Sequence, residues 1–316
     1  MNTLHFNIAA VERETGLSKD VLRMWERRYG FPQPERDANG ERLYPVAQLD
    51  RLRLIKRLMD QGHRPGKLIA ASPEDLSQLA PRRSASRQPA PAESTDNLGE
   101  LLALIKQHDA AGYQQAMQQR LARQGFQHFV QDTVAPLTQQ VGEAWEDGRF
   151  EVFEEHLFTE LTKRLLRQAI ATLPGGSRSP RIVLTTVPDE QHVLGLLMVE
   201  GLFALEGAEC IPLGTQMPLS EISRAAVAHQ ADIVALSFST AFPRRLVSGV
   251  LEQLRQMLPG NIALWVGGRG TAEHSSCEDF SVLHSLNDAL HSLAKWREIA
   301  KCDSQKRTSL IPPGGC

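Results

Sequence analysis

Beyond Pro180, short β-branched apolar runs alternate with stretches of helical periodicity, and no other feature restricts the fold as severely. Arg181–Val187, Ala231–Ser237 and Ala263–Val266 have strand length and composition, whereas Val193–Leu205 and Arg244–Leu258 repeat their apolar residues at helical spacing. Strands separated by a helix-length crossover pair in parallel, because the crossover returns the chain to the same end of the sheet. The predicted architecture here is a doubly wound, Rossmann-like parallel sheet.

The 316 residues exceed what one core organises, so two or three domains are expected. Leu173–Pro180 (LPGGSRSP) breaks the chain ahead of the sheet, and Leu98–Thr172 before it has helical spacing with almost no strand signal. Pro81–Asn97, rich in Pro, Ser, Ala and Arg, has no apolar periodicity and reads as linker. The expected class is multi-domain α plus α/β. Residues 1–75 form a winged helix-turn-helix head, 76–97 a linker, 98–175 a four-helix bundle and 176–300 the α/β part. The polar tail 301–316 is expected to lack regular structure.

Composition mainly excludes. No apolar run reaches membrane-spanning length, and Met1–Glu12 lacks the basic-then-apolar order of a signal peptide. Cys210, Cys277, Cys302 and Cys316 make no CxxC pair, which argues for reduced thiols, a cytoplasmic location and no zinc site. No nucleophile set or GxxxxGK loop points to an enzyme. The net charge of -2 announces no nucleic-acid binder. Arg and Lys nevertheless crowd between Arg13 and Lys67, and local charge governs attraction to phosphate.

In that basic region Asn7–Gly16 carries Ile8 and Val11, with Leu17 beyond the turn, and Gly16 supplies the left-handed backbone of a tight inter-helix turn. Ser18 is placed to cap a helix Lys19–Arg28 with Val21, Leu22 and Trp25 inward. Arg23, Arg27 and Arg28 then project towards a major groove and its phosphates. Asn39-Gly40, between Arg36 and Tyr44, predicts a two-residue hairpin that forms a wing, and Val46–Gln61 is a further amphipathic helix. Arginines alone would suit a solvated helix face; turn, hairpin and aromatic core in register favour a DNA reader. Leu22-Arg23-x-Trp25-Glu26-Arg27-Arg28-Tyr29-Gly30, with Pro34-x-Arg36 and Arg42-x-Tyr44, resembles the MerR family of regulators over residues 6–72. The resemblance implies that the second helix enters the major groove of double-stranded operator DNA. Arg23, Arg27, Arg28 and Tyr29 belong to that surface, and Arg36, Arg42 and Tyr44 to the wing and its phosphate contacts. Many MerR-family members sense metals through cysteines beyond the dimerisation helix, and this chain has none there.

The strand Arg181–Val187 runs into Pro188-Asp189-Glu190-Gln191-His192-Val193-Leu194-Gly195. A histidine in a loop after a strand sits at the carboxyl edge of the sheet, where α/β folds bind ligands. One imidazole nitrogen there can coordinate a metal centre while a neighbouring acid orients the other, and Gly195 lets the backbone approach a bulky ligand. Glu190-x-His192-x-x-Gly195, Ser237 and Gly267-Gly268, in that order, resemble the signature of base-off, His-on cobalamin-binding domains. The resemblance implies His192 as lower axial ligand to cobalt, with Ser237, Gly267 and Gly268 lining the slot of the nucleotide tail. Ser239 departs from the Leu or Thr of that pattern.

In the bundle, Val141-Gly142-x-x-Trp145 is followed by Glu155-His156. Alone, Trp145 would be core and Glu155-His156 a polar helix face. Together they resemble the Trp-x9-Glu-His motif of CarH/LitR-type photoreceptor repressors. That resemblance implies Trp145 over the upper axial group, Glu155 and His156 near the adenosyl moiety, and adenosylcobalamin, or else methylcobalamin, as cofactor. It further implies a homo-oligomer, dimer or tetramer, whose operator binding responds to light. Some members carry a His directly after the Trp; here Glu146 stands in that place. Glu146 and Ser239 keep open a cobalamin-responsive or cofactor-independent regulator, including one with a protein antagonist. A corrinoid carrier for a methyltransferase shares the His loop but has no use for a DNA reader.

Overall fold

The computed structural model describes residues 5–37, 40–60, 63–72, 75–76, 98–173 and 179–309. Two compact units, residues 1–89 and 90–316, are taken separately. The predicted linker 76–97 falls almost wholly outside the described residues, as does Asn39.

In the first unit β1 (His5–Asn7) leads into α1 (Ile8–Thr15), and α2 (Lys19–Tyr29) follows a tight turn. Asn7 caps α1 by accepting from the Ala10 amide, and Ser18 caps α2 by accepting from that of Val21. Gly16 and Gly30 close the two helices in left-handed conformation, each φ 67°. A small antiparallel sheet of order β1-β3-β2 adds β2 (Glu35–Arg36) and β3 (Arg42–Pro45), and α3 (Val46–Asp60) and α4 (Pro65–Ala70) follow. Val11, Leu22, Trp25, Leu49, Leu52 and Ile55 form its core.

Two expectations are corrected here. The hairpin is wider than a two-residue turn: Arg36 pairs with Arg42, and the Asp37 amide donates to the Glu41 carbonyl. Gly40, φ 78°, supplies the left-handed residue that a three-residue hairpin loop requires. Tyr44 is fully buried among the core residues, so the ring is withdrawn from the wing surface. Burial raises its phenol's pKa, and its hydroxyl has no hydrogen-bond partner among the described residues. A buried, unsatisfied hydroxyl is destabilising. Tyr44→Phe is therefore expected to raise the head's stability by about 1 kcal/mol. A lowered midpoint on thermal denaturation would refute that expectation.

The second unit opens with four helices, α5 (Leu98–Lys106), α6 (Ala110–His128), α7 (Ala135–Glu146) and α8 (Val152–Ala171), with a π-helical stretch, Phe129–Val134, joining α6 to α7. Then come β4 (Arg181–Thr185), α9 (Leu194–Leu205), β5 (Glu209–Gly214), α10 (Leu219–Ala228), β6 (Ile233–Ser237), α11 (Arg244–Met257), β7 (Ala263–Gly267), β8 (Ser281–Leu283) and α12 (Leu286–Ser309). The sheet is parallel throughout, in order β5-β4-β6-β7-β8. After β4 the chain moves outward to β5 and then returns to β6. Connections therefore leave β4 and β6 towards opposite faces, and a crevice opens at their carboxyl ends.

Helix α9 (LGLLMVEGLFAL) is apolar except for the buried Glu200 because it is covered on both sides. Leu194, Leu197, Met198 and Leu202 join the bundle core, whereas Leu196 and Phe203 join the core beneath the sheet. On the bundle side the Phe126 ring lies where a Cβ on Gly201 would be, 2.3 Å from the nearest ring atom. The last helix corrects the tail: α12 runs to Ser309, nine residues into the segment expected to lack structure. Its sequence from Lys301 to Ser309 contains no Gly or Pro to stop it. Residues 310–316 lie outside the described part. Among the described residues no helix is long and apolar enough to cross a membrane.

Candidate functional site

Strand β4 ends on Thr185, Thr186 follows it, both are buried, and the chain turns through Asp189 in left-handed conformation, φ 67°. Thr186 pins the loop from both sides. Its Oγ1 donates to the Glu190 carbonyl at 2.5 Å and accepts from the Gln216 amide at 2.8 Å. Glu190 is thereby held with its side chain inward, 1% exposed, while the His192 side chain stands 58% exposed at the crevice.

The buried carboxylate is fully engaged. Glu190 Oε1 accepts from the His192 amide at 3.0 Å and lies 2.7 Å from His192 Nδ1. Oε2 accepts from the Ser239 amide at 2.7 Å and from Ser239 Oγ at 2.8 Å. Burial pushes the Glu190 pKa up, but the hydrogen bonds from His192 and Ser239 outweigh it and leave the pKa below the ordinary value. An ionised carboxylate only accepts, so Nδ1 carries the ring proton and Nε2 keeps its lone pair for a ligand. The hydrogen bond to Glu190 raises the His192 pKa against the effect of burial, and the charge of Glu155 adds to the rise.

Ser237 and Gly267 are the last residues of β6 and β7 and pair with each other in register. A Cβ on Gly195 would lie 2.8 Å from Ser237 Oγ, which places the start of α9 directly against the end of β6. A Cβ on Gly268 would lie 2.2 Å from the Phe238 carbonyl, and Gly268 has φ 97°. His192, Glu190, Gly195, Ser237, Gly267 and Gly268 thus converge on the carboxyl edge of β4, β6 and β7. The Glu155 charge reaches His192 from the bundle, and its Oε1 accepts from Thr159 Oγ1 at 2.8 Å. Trp145 packs half-buried against the bundle core, and His156 is 71% exposed, its Nδ1 3.7 Å from Glu155 Oε2. Glu146 is exposed.

The donor set fits a corrinoid. One imidazole is oriented through Nδ1 by a buried acid, with glycines where neighbouring segments touch, and that is the arrangement of a metal-ligating histidine with a built outer shell. Among the described residues no group of three or more His, Cys, Asp or Glu forms a separate metal site. Two contributors escaped the sequence reading. Ser239, which departs from the cobalamin-domain pattern, donates twice to Glu190, and Thr186 holds the loop. A hydroxyl residue at each of two adjacent strand ends, facing an acid two places before a histidine, is the pattern that marks them.

On the first unit, Arg23, Arg27, Arg28 and Arg36 are exposed, and Tyr29 is 36% exposed with the Arg28 guanidinium 5.3 Å from its ring centroid. Arg36 Nη1 donates to the Gly40 carbonyl at 2.8 Å, inside the wing. Arg42 is half-buried against Glu26. Tyr44 does not share this surface.

Three regions of the chain match known families. Residues 6–69 match the MerR HTH family regulatory protein, and residues 98–170 and 180–293 each match a B12 binding domain. The chain is 31% identical to the HTH-type transcriptional repressor CarH of Myxococcus xanthus, over 89% of this chain and 94% of that protein. To the repressor CarA of the same organism it is 28% identical, over 84% and 88%. Among solved structures the Methanosarcina barkeri monomethylamine corrinoid protein is similar over 64% of this chain and 99% of its own, with TM-score 0.51 and 14% identity, which is a likeness of fold.

Proposed function

As the chain belongs to the MerR-type, B12-binding transcriptional repressors that include CarH, we propose that it is a cytoplasmic repressor, not an enzyme, that holds adenosylcobalamin and releases its operator on illumination. The observation that carries the reading is the Glu190–His192 pair at the switch point of the sheet, with the imidazole held through Nδ1 and Nε2 left for a ligand. His192 is the residue that would hold the cobalt from below. Ser237, Gly195, Gly267 and Gly268 would form the slot beside it, and Trp145, Glu155 and His156 would cover the opposite face. The light-sensitive carbon–cobalt bond is supplied by the cofactor itself. The chain's assembled and dissociated states must bind the cofactor with unequal affinity, without which no ligand switches anything. A homo-oligomer, dimer or tetramer, joins several reading heads, and linked heads gain affinity through effective concentration.

Glu146 favours a second reading, a cobalamin-responsive repressor without light sensing. An exposed carboxylate after Trp145 is a harder, weaker ligand for cobalt than an imidazole. One experiment separates the two. Protein loaded with adenosylcobalamin in darkness is followed by absorption, size-exclusion chromatography and binding to a duplex it enriches from a random pool, before and after green illumination. The photoreceptor reading expects all three to change. A spectral change with constant size and constant DNA binding selects the second reading, and a chain that takes up no corrinoid ends both.

A further inference from the structure

The basic face of α2 has an acid in its midst. Arg23, Glu26 and Arg27 line one open groove with Arg42 of the wing strand β3. Arg42 Nε donates to Glu26 Oε2 at 2.8 Å, and Nη2 to Oε1 at 3.5 Å, so the guanidinium fork meets both carboxylate oxygens. Each side chain is 28% exposed. A carboxylate facing a duplex repels phosphate, so on charge alone Glu26 opposes binding. Its geometry does something else. A two-point guanidinium–carboxylate contact fixes orientation as well as distance, and this one ties the last turn of the helix to the strand that carries the wing. Two residues further along the same face of β3, Tyr44 is sealed into the core beside Trp25 and Leu22. The strand is held on that one face at two points, by the ion pair at Arg42 and by the buried ring at Tyr44.

We infer that Glu26 is a positioning residue for DNA reading: through Arg42 it clamps the wing to the recognition helix, so that both meet the duplex in one fixed register. This rests on the DNA-binding reading above. It also gives Arg42 a role other than the plain phosphate contact implied by resemblance, since its Nε and Nη2 already serve Glu26.

The sign of one substitution tests it. The full chain, in whichever cofactor state binds DNA, is titrated with a duplex enriched by the wild-type protein from a random pool and with an unrelated duplex of equal length. Glu26→Gln is expected to weaken binding to the enriched duplex about tenfold while leaving the unrelated duplex unchanged or bound more tightly. Glu26→Asp keeps the charge but is too short to hold the fork, and is expected to lose specificity in the same way. Arg42→Gln on top of Glu26→Gln adds little further specific loss, because the clamp is already open. If Glu26→Gln binds both duplexes as well as or better than wild type, Glu26 is a counter-charge and the inference is wrong. Equal losses on both duplexes with a lowered melting temperature would show a role in folding alone and overturn it too. A wild-type chain that enriches no duplex would instead sink the DNA-binding reading itself.

Discussion

His192→Ala protein is expected to lose at least about a hundredfold in cobalamin affinity and to give the cobalt no axial nitrogen from the chain, because outer-shell partners alone are worth ten- to a hundredfold. The imidazole is not a loose surface group. Its Nδ1 is held 2.7 Å from Glu190, whose carboxylate is held in turn by two bonds from Ser239. This chain of contacts sets which nitrogen is free. The ligation is read in the reduced, paramagnetic cobalt state by electron paramagnetic resonance with isotopically labelled histidine. The isotope alters the nitrogen splitting in wild type and has nothing to alter in the variant. Removing the imidazole also takes a charge-assisted partner from a buried carboxylate, a cost to folding of about 1–3 kcal/mol. His192→Gln controls for it, keeping an amide donor for Glu190 but no imidazole. Ser239→Ala should retain the histidine splitting and bind cobalamin about tenfold more weakly. Wild-type affinity in both His192 variants would remove this residue from the site.

The part of the fold that the sequence displays best is the part whose periodicity is unmixed. β4, β6, β7, α9 and α11 were all legible from their apolar runs, because a strand buried on both faces leaves nothing polar to confuse the pattern. β5 (ECIPLG) was not legible. It carries Pro212 and polar residues, which only an edge strand tolerates, and it lies at the edge of the sheet. β8 has three residues, too few to display any period. In the head, Trp25 was read correctly as core, whereas Tyr44 was placed on the surface by its company. A tyrosine two places after a wing arginine looks like part of a phosphate grip until the pairing of β3 with β1 turns that face inward. The site divides in the same way. Residues whose chemistry is local, such as His192 after its strand, were visible. Contacts across the sheet, such as Ser239 to Glu190, depend on which strand ends are neighbours, and no linear spacing encodes that.

The second large effect concerns Gly268. The resemblance reads it as room for the nucleotide tail, but the nearest object to its missing side chain is the chain itself. A Cβ would come within 2.2 Å of the Phe238 carbonyl and 3.1 Å of the Phe238 amide nitrogen, and the residue sits at φ 97°, where an L side chain is strained in any case. The contact is held from both ends: the Phe238 amide donates to the Gly267 carbonyl at 2.9 Å, and the Gly270 amide to the Phe238 carbonyl at 3.0 Å. Gly268→Ala is therefore expected to destabilise the cofactor-free chain by about 3 kcal/mol, from backbone strain and displacement of the segment after β6. Ser239 is the next residue in that segment, so the same displacement pulls its two bonds off Glu190 and weakens cobalamin binding indirectly. Gly195→Ala makes the contrast. Its Cβ would meet only Ser237 Oγ, the end of a side chain that rotates away, and the expected loss of stability is below about 1 kcal/mol. Denaturant titration of the two variants without cofactor measures the difference. If Gly268→Ala unfolds at the wild-type midpoint yet fails to bind cobalamin, the glycine is there for the ligand alone, and the packing of one strand-end loop on the other has been misjudged.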